Sequence, residues 1–552
     1  MAAAGKYPLY CAVLFLFYSI SYGALLLFPG FFWDDYSLFG IPRSVVEGSF
    51  LEAGRPLFAV THGFLTSLPG SVYIYKILIF VLYFANGLLA RACMMRFAGI
   101  SAEKAWVIAY LVVLLPYAHS RYGLVMVQYP ICTFLFLSGL YVYLRFIKLP
   151  ARVVCAVLFF LSFSIEAHLV LYYAVFFLMY LLLDNKTPVK GLRSTGPVLY
   201  GFVLKYRAML LLPVVYWIVR GSLFAPKGVL SGLNSFGKKK LLLSPLRLLE
   251  SLYHSFIKMF YVVIEASVKN ISIFHVVIMV AVAGILFLLW KPAGKTGVDR
   301  KNIHKGFMAG LVLYFAAAFP FVLVGKMPEY LDWAMRFQFL LPYGAALMIW
   351  FISSYAGWKW QRRILIGIVA LSVNYNLIVS LVYARDWMKQ QALVSSFRNN
   401  EEIRKGTSFF LRDHTSSLNA YEREMMFYEF SGMLKQAFGD QKRLAILEFH
   451  WLFDRKKIPS YLEKVEYRQL FNLAEYVMAP MRKVIFVEHG AVRLEKTGDT
   501  LEMIYLSFAD PPEYSRRVSG MIRTRVSGKL ADYFDNHKEW LEWGGSRPGI
   551  RD

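Results

Sequence analysis

Residues 7–28 read YPLYCAVLFLFYSISYGALLLF, a run with no charged side chain. A helix rising about 1.5 Å per residue needs about 20 such residues to cross the roughly 30 Å hydrocarbon core of a bilayer. This run is long enough. Only Lys6 carries charge ahead of it, and no small-residue cleavage site follows, which predicts a retained membrane helix and not a secretory signal peptide. The chain around it agrees: of 552 residues 57% are hydrophobic and 17% aromatic, with a mean hydropathy of +0.46. Soluble domains are less apolar and more highly charged. The sequence predicts an all-α polytopic membrane domain.

A formal charge of +25 raises the question of a nucleic-acid partner. Much of the basic excess lies in short segments between apolar runs, however, so attraction to the cytoplasmic face of a membrane accounts for it, and no nucleic acid is expected. The four cysteines, Cys11, Cys93, Cys132 and Cys155, fall in or beside apolar runs, which supports neither a disulfide framework nor a cysteine metal site. Alternating basic and non-basic loops are satisfied by about eleven membrane helices with a cytoplasmic N-terminus. The basic loops then include residues 91–104, 145–152, 184–207, 291–305 and 358–363. Residues 224–269 are an exception, an outer loop rich in lysine.

On this topology residues 1–383 form the membrane domain, and residues 384–552 form an extracytoplasmic domain on the same side as the first loop, residues 29–71. The tail mixes helical patterns, NNEEIRKG and YEREMMFYEFSGMLKQAF, with the short runs KVIFVEH and TLEMIYLSF, which read as strands. At about 170 residues it is long enough for its own core. A mixed α/β domain is expected.

Immediately after the first apolar run comes PGFFWDDYSLFG, residues 29–40. Adjacent Asp34 and Asp35 suit a cap or turn. They also suit a general base, because a carboxylate among Phe31, Phe32, Trp33 and Tyr36 is partly desolvated and therefore more basic. The same loop carries Arg55 and His62 in EGSFLEAGRPLFAVTHG. A guanidinium there is able to hold a phosphate bidentately, or to pair with Glu47 or Glu52. In LSFSIEAHLV, Glu166 lies in apolar surroundings, where an ionisable group is a functional candidate by default, for orienting substrate or pairing with Arg121. Lys238, Lys239 and Lys240 open an amphipathic segment expected to lie along the membrane surface, attracted to lipid headgroups or receiving a lipid-linked phosphate. Arg336, in VGKMPEYLDWAMRFQFLLPYG, enters an apolar helix and should meet an acid or a phosphate. Nucleotide-cradling glycine loops, HExxH and G-x-S-x-G are absent from the sequence, so an activated group should arrive already attached to a lipid.

WDDY after the first span, followed by GRPL, resembles the GT-C class of integral membrane glycosyltransferases, and within it the bacterial Gtr-type O-antigen glucosyltransferases. SIEAHLV and WAMRFQFLLP resemble segments of other bacterial membrane proteins. The resemblance covers the chain to about Tyr383. It implies a bacterial inner-membrane enzyme with a polyprenyl-phosphate-linked sugar as donor, a glycan or lipid as acceptor, and inversion at the sugar carbon. Asp34 or Asp35 would be the base, and Arg55 the arginine of GRPL. Some relatives use a divalent metal, and the adjacent acids would be the ligands of Mg²⁺ or Mn²⁺ here. A lipid-glycan flippase and a non-catalytic envelope scaffold are the alternatives.

Overall fold

The structure, a computed structural model, describes residues 7–96, 100–117, 119–184, 195–227, 237–290, 300–330, 332–448, 450, 462–479, 481, 483–494 and 496–527. Residues 185–194 and 291–299, parts of the basic loops at 184–207 and 291–305 that bear on sidedness, fall outside the described residues, as does everything after residue 527. The chain divides into two compact units, Met1–Pro29 with Pro42–Leu381 and Gly30–Ile41 with Val382–Asp552. The WDDY segment, read above as part of the membrane domain, groups with the tail.

The first unit is helical. Ser71–Met94, Leu124–Arg145, Ile303–Leu323 and Leu341–Arg398 are long and apolar enough to cross a membrane, the last continuing into the second unit. Gly196–Leu210 and Leu212–Leu223, bent by 43°, make a fifth if taken together. The expectation of about eleven spans is therefore corrected to four or five that qualify by length and composition among the described residues. Part of the difference lies where apolar runs break into shorter helices, in places beside proline or glycine. The opening run stops at Tyr22, before Gly23, and resumes only as Ala24–Leu27. Ala102–Leu114 ends two residues before Pro116, and Pro213 follows the bend in the paired helices. Tyr7–Tyr22, Leu149–Ser162, Ala167–Leu183 and Ile273–Leu289 remain as shorter apolar helices.

Much of this unit's surface is hydrocarbon: Leu242 is 81%, Ile273 80% and Leu288 75% exposed. Apolar surface on this scale marks a lipid or protein contact. In the lysine-rich segment, Lys238–Ser251 and Lys258–Lys269 turn Leu242, Leu246, Leu249, Tyr261 and Ile264 outward while Ser244, Ser251, Ser255 and Ser267 are buried. The serines pair inward: Ser255 Oγ donates to the Pro328 carbonyl at 2.5 Å and accepts from Gln338 Nε2 at 3.1 Å. Elsewhere Gly310 and Gly344 allow two helices to touch backbone to backbone; a Cβ on Gly344 would lie 2.5 Å from the Tyr314 nitrogen. Small residues serve this purpose where no hydrophobic effect drives helices together.

The second unit is mixed α/β. Strands β1 (Ser408–Asp413), β2 (Leu444–Leu447), β3 (Lys483–His489) and β4 (Ile522–Ser527) form a sheet in the order β2-β1-β3-β4. β1 runs parallel to β2 and β3, and β4 closes the sheet antiparallel to β3. The helix Phe427–Phe438 connects β1 to β2, as a parallel pair requires. Phe409, Leu411, Phe430, Met433, Ile485 and Val487 make the core, and Tyr36 of the WDDY segment is buried in it. KVIFVEH is β3, as its composition predicts. TLEMIYLSF is not a strand but part of the helix Thr497–Ala509, started by the Asp499 carboxylate on the Lys496 amide at 2.9 Å.

Candidate functional site

In the second unit, Trp33–Ser37 is a single 3-10 turn entered through a left-handed residue, Trp33, at φ 52°. A bulky side chain at positive φ is strained by about 1–3 kcal/mol and persists only where its surroundings hold it. They do so here. The Trp33 amide donates to Glu429 Oε1 at 3.3 Å, and the Arg423 guanidinium lies 5.5 Å from the centre of the indole ring. Arg423 reaches both Glu429 oxygens at 2.8 and 2.9 Å and Asp386 at 3.3 Å, and all three side chains are fully buried. Burial pushes the Glu429 carboxyl up to about 7, against the pull of Arg423. Asp386 also accepts from the Ala420 amide at 2.8 Å and from Gln390 Nε2 at 2.9 Å.

This frame separates the two aspartates. Asp35 is fully buried and its carboxylate accepts from the Phe32 amide at 2.9 Å, so it acts as the cap of its own turn. Asp34 is half-buried and accepts from the Tyr428 hydroxyl at 2.8 Å. Burial and the neighbouring Asp34 charge hold Tyr428 well above the usual phenol range, which keeps its proton available to Asp34. The carboxylates thus have different partners. Among the described residues, no group of three or more His, Cys, Asp and Glu side chains is placed to hold a metal.

The first unit holds a second constellation. Arg55 precedes the helix Pro56–Thr66, and the turn before it needs glycine: Gly54 has φ 71°, and a Cβ there would come 2.5 Å from the Phe224 carbonyl. That close approach, with Lys227 N donating to the Glu52 carbonyl at 2.8 Å, holds the GRPL turn against the chain just after Arg220. Glu166 lies between the two arginines. One of its oxygens is 2.7 Å from Arg220 and the other 3.8 Å from Arg55. Lys326 feels Arg336, Arg55, Glu166 and Lys240, and burial together with the cations lowers its pKa to about 8. The Arg336 guanidinium lies over Trp333 and Phe337, at 4.4 and 4.8 Å. Lys240 donates to the Val324 carbonyl at 3.1 Å, and Arg247 lies beside the left-handed Gly325.

No family model, curated protein or solved structure matches this chain.

Of the residues singled out by sequence, Arg55, Glu166, Lys240 and Arg336 come together in this cluster. Lys238 and Lys239 are solvent-exposed. His62 is buried elsewhere, bonded through Nδ1 to the Tyr75 hydroxyl at 2.8 Å and stacked on Phe50. Glu166 pairs with Arg220 and Arg55 and not with Arg121, whose guanidinium sits 4.0 and 4.2 Å from the rings of Tyr22 and Tyr83. Glu47 takes Arg43 instead of Arg55, at 2.6 Å. Sequence reasoning missed Arg220, although the signal that marked Arg336, a lone charge in an apolar helix, is present in LPVVYWIVRGSL. It also missed Arg423 and Glu429 as site-forming groups.

Proposed function

We propose that this protein is a membrane glycosyltransferase of GT-C type that moves a sugar from a polyprenyl-phosphate donor to a glycan or lipid acceptor at the outer face of a bacterial inner membrane, with the N-terminus cytoplasmic and the tail extracytoplasmic. The observation that carries this reading is the basic group in which Glu166 pairs with Arg220 and Arg55, and Lys326 feels Arg336, Arg55, Glu166 and Lys240, in a unit that holds membrane-capable helices. Such a group suits a phosphate monoester, whose charge grows as the sugar leaves. Of the paired acids, Asp34 is the base and Asp35 the structural cap. In the transfer, Asp34 takes the acceptor hydroxyl proton as the oxygen attacks the anomeric carbon. The bond from that carbon to the phosphate oxygen breaks, and its electron pair leaves with the polyprenyl phosphate. Attack from the face opposite the phosphate inverts the centre.

The test is mass spectrometry of envelope glycans and lipid-linked intermediates from a deletion strain carrying wild type, Asp34→Asn or Arg220→Gln at matched expression. Loss of one sugar unit, restored by wild type alone, is expected. Full restoration by Asp34→Asn would remove the base and favour transport or scaffolding.

A further inference from the structure

A carboxylate between two arginines is ordinarily a simple bridge, but the Glu166 geometry is more specific. Its two oxygens are directed to different guanidiniums, Arg220 at 2.7 Å and Arg55 at 3.8 Å. That is the pattern in which a phosphate spans two arginines, with separate oxygens on separate cations. The three side chains are neither sealed nor free in solvent: Glu166 is 24%, Arg55 25% and Arg220 13% exposed. The bridge is therefore reachable by a ligand and exchangeable. It is also unequal, tight to Arg220 and loose to Arg55.

We propose that Glu166 is an internal competitor for the phosphate group, occupying Arg220 and Arg55 with its own oxygens and yielding them to a phosphate monoester. This rests on the reading of the cluster as the phosphate seat and adds a release device to it. An unopposed cluster of cations would hold its leaving group tightly, and slow departure of product limits many enzymes. A carboxylate able to return to the arginines lowers affinity and speeds departure.

The experiment uses the full-length protein in nanodiscs of zwitterionic lipid, with three probes: a polyprenyl monophosphate, phosphatidic acid and inorganic phosphate. Affinity and dissociation rate are measured for wild type, Glu166→Gln, Glu166→Asp, Arg55→Gln and Arg220→Gln. Glu166→Gln is expected to tighten polyprenyl monophosphate binding by about tenfold and to slow its release, the scale of one exchangeable ion pair. Glu166→Asp keeps the charge but shortens the reach, so it should also tighten binding. Asp behaving as wild type would mean that Glu166 acts by its field and not by occupying the arginines, and would overturn the proposal. So would unchanged or weaker binding in Glu166→Gln while Arg220→Gln still loses affinity, although the phosphate seat would then stand. If neither arginine variant weakens binding, the seat itself is wrong. The same order of variants with inorganic phosphate assigns recognition to the phosphate; the order appearing with both lipids but not with inorganic phosphate assigns it to a membrane-presented headgroup. Either result supports competition by Glu166.

Discussion

Replacing Arg423 with methionine tests the buried frame around the WDDY turn. Arg423, Asp386 and Glu429 have no exposed side-chain surface, and the arginine is the cation that both acids pair with. Removing one partner of a buried ion pair costs about 3–5 kcal/mol, because the remaining charge is left uncompensated away from water. For a unit of this size about 1 kcal/mol moves the midpoint by roughly 2–4 °C, so the second unit should melt on the order of 10 °C lower. The pH dependence follows from Glu429, whose carboxyl is already raised to about 7 by burial. A carboxyl with a folded pKa above its unfolded value binds more protons when folded, so stability falls as pH rises through that window. Without Arg423 the pKa rises further. The variant's deficit should therefore be largest at pH 8 and shrink toward pH 5, and adding Glu429→Gln should recover part of it. Pulse proteolysis of the full-length protein in nanodiscs, following cleavage of the second unit against urea, measures this. A loss below about 1 kcal/mol, or a deficit that grows on acidification, would refute the assignment of Arg423 as the balancing charge.

The two aspartates should respond differently: Asp34→Asn should lower transfer by about 10²–10⁴ with unfolding unchanged, whereas Asp35→Ala should cost about 1 kcal/mol of second-unit stability in the same proteolysis assay. Lys326, lowered to about 8, is charged below that pH and loses its charge as pH rises through it. Binding of a polyprenyl monophosphate should weaken between pH 7 and 9 and be flatter in Lys326→Arg, as titrated by native mass spectrometry. Gly344→Val should force apart helices whose backbones touch, costing about 1–3 kcal/mol, visible as a lower thermal midpoint of the full chain.

The sequence made some of this legible and hid the rest for identifiable reasons. Membrane character was plain from unbroken apolar runs, but span number was not, since run length ignores breaks such as those at Gly23 and Pro116. KVIFVEH read correctly because Val484, Ile485 and Val487 are β-branched and buried in the sheet. TLEMIYLSF misled because the same residue types also fit a helix, whose buried positions Thr500 and Met503 are three apart. Arg55, Glu166 and Arg336 stood out as charges near apolar segments. Their grouping is tertiary, and nothing local in LPVVYWIVRGSL points to Glu166, which lies far away in the chain. Nor does WDDY announce Glu429 and Arg423, whose roles depend on a fold that brings distant segments together.

That separation has a consequence in time. The Trp33 amide finds its acceptor 396 residues later in the chain, at Glu429. At a synthesis rate of about 5–20 residues per second, Trp33 and Asp34 emerge roughly 20–80 s before Glu429 and Tyr428 exist. Throughout that interval the left-handed turn has only the local Asp35 cap to hold it and Tyr36 has no core to enter. A ribosome that stops before residue 423 would leave the turn without its frame, however complete the helices already made.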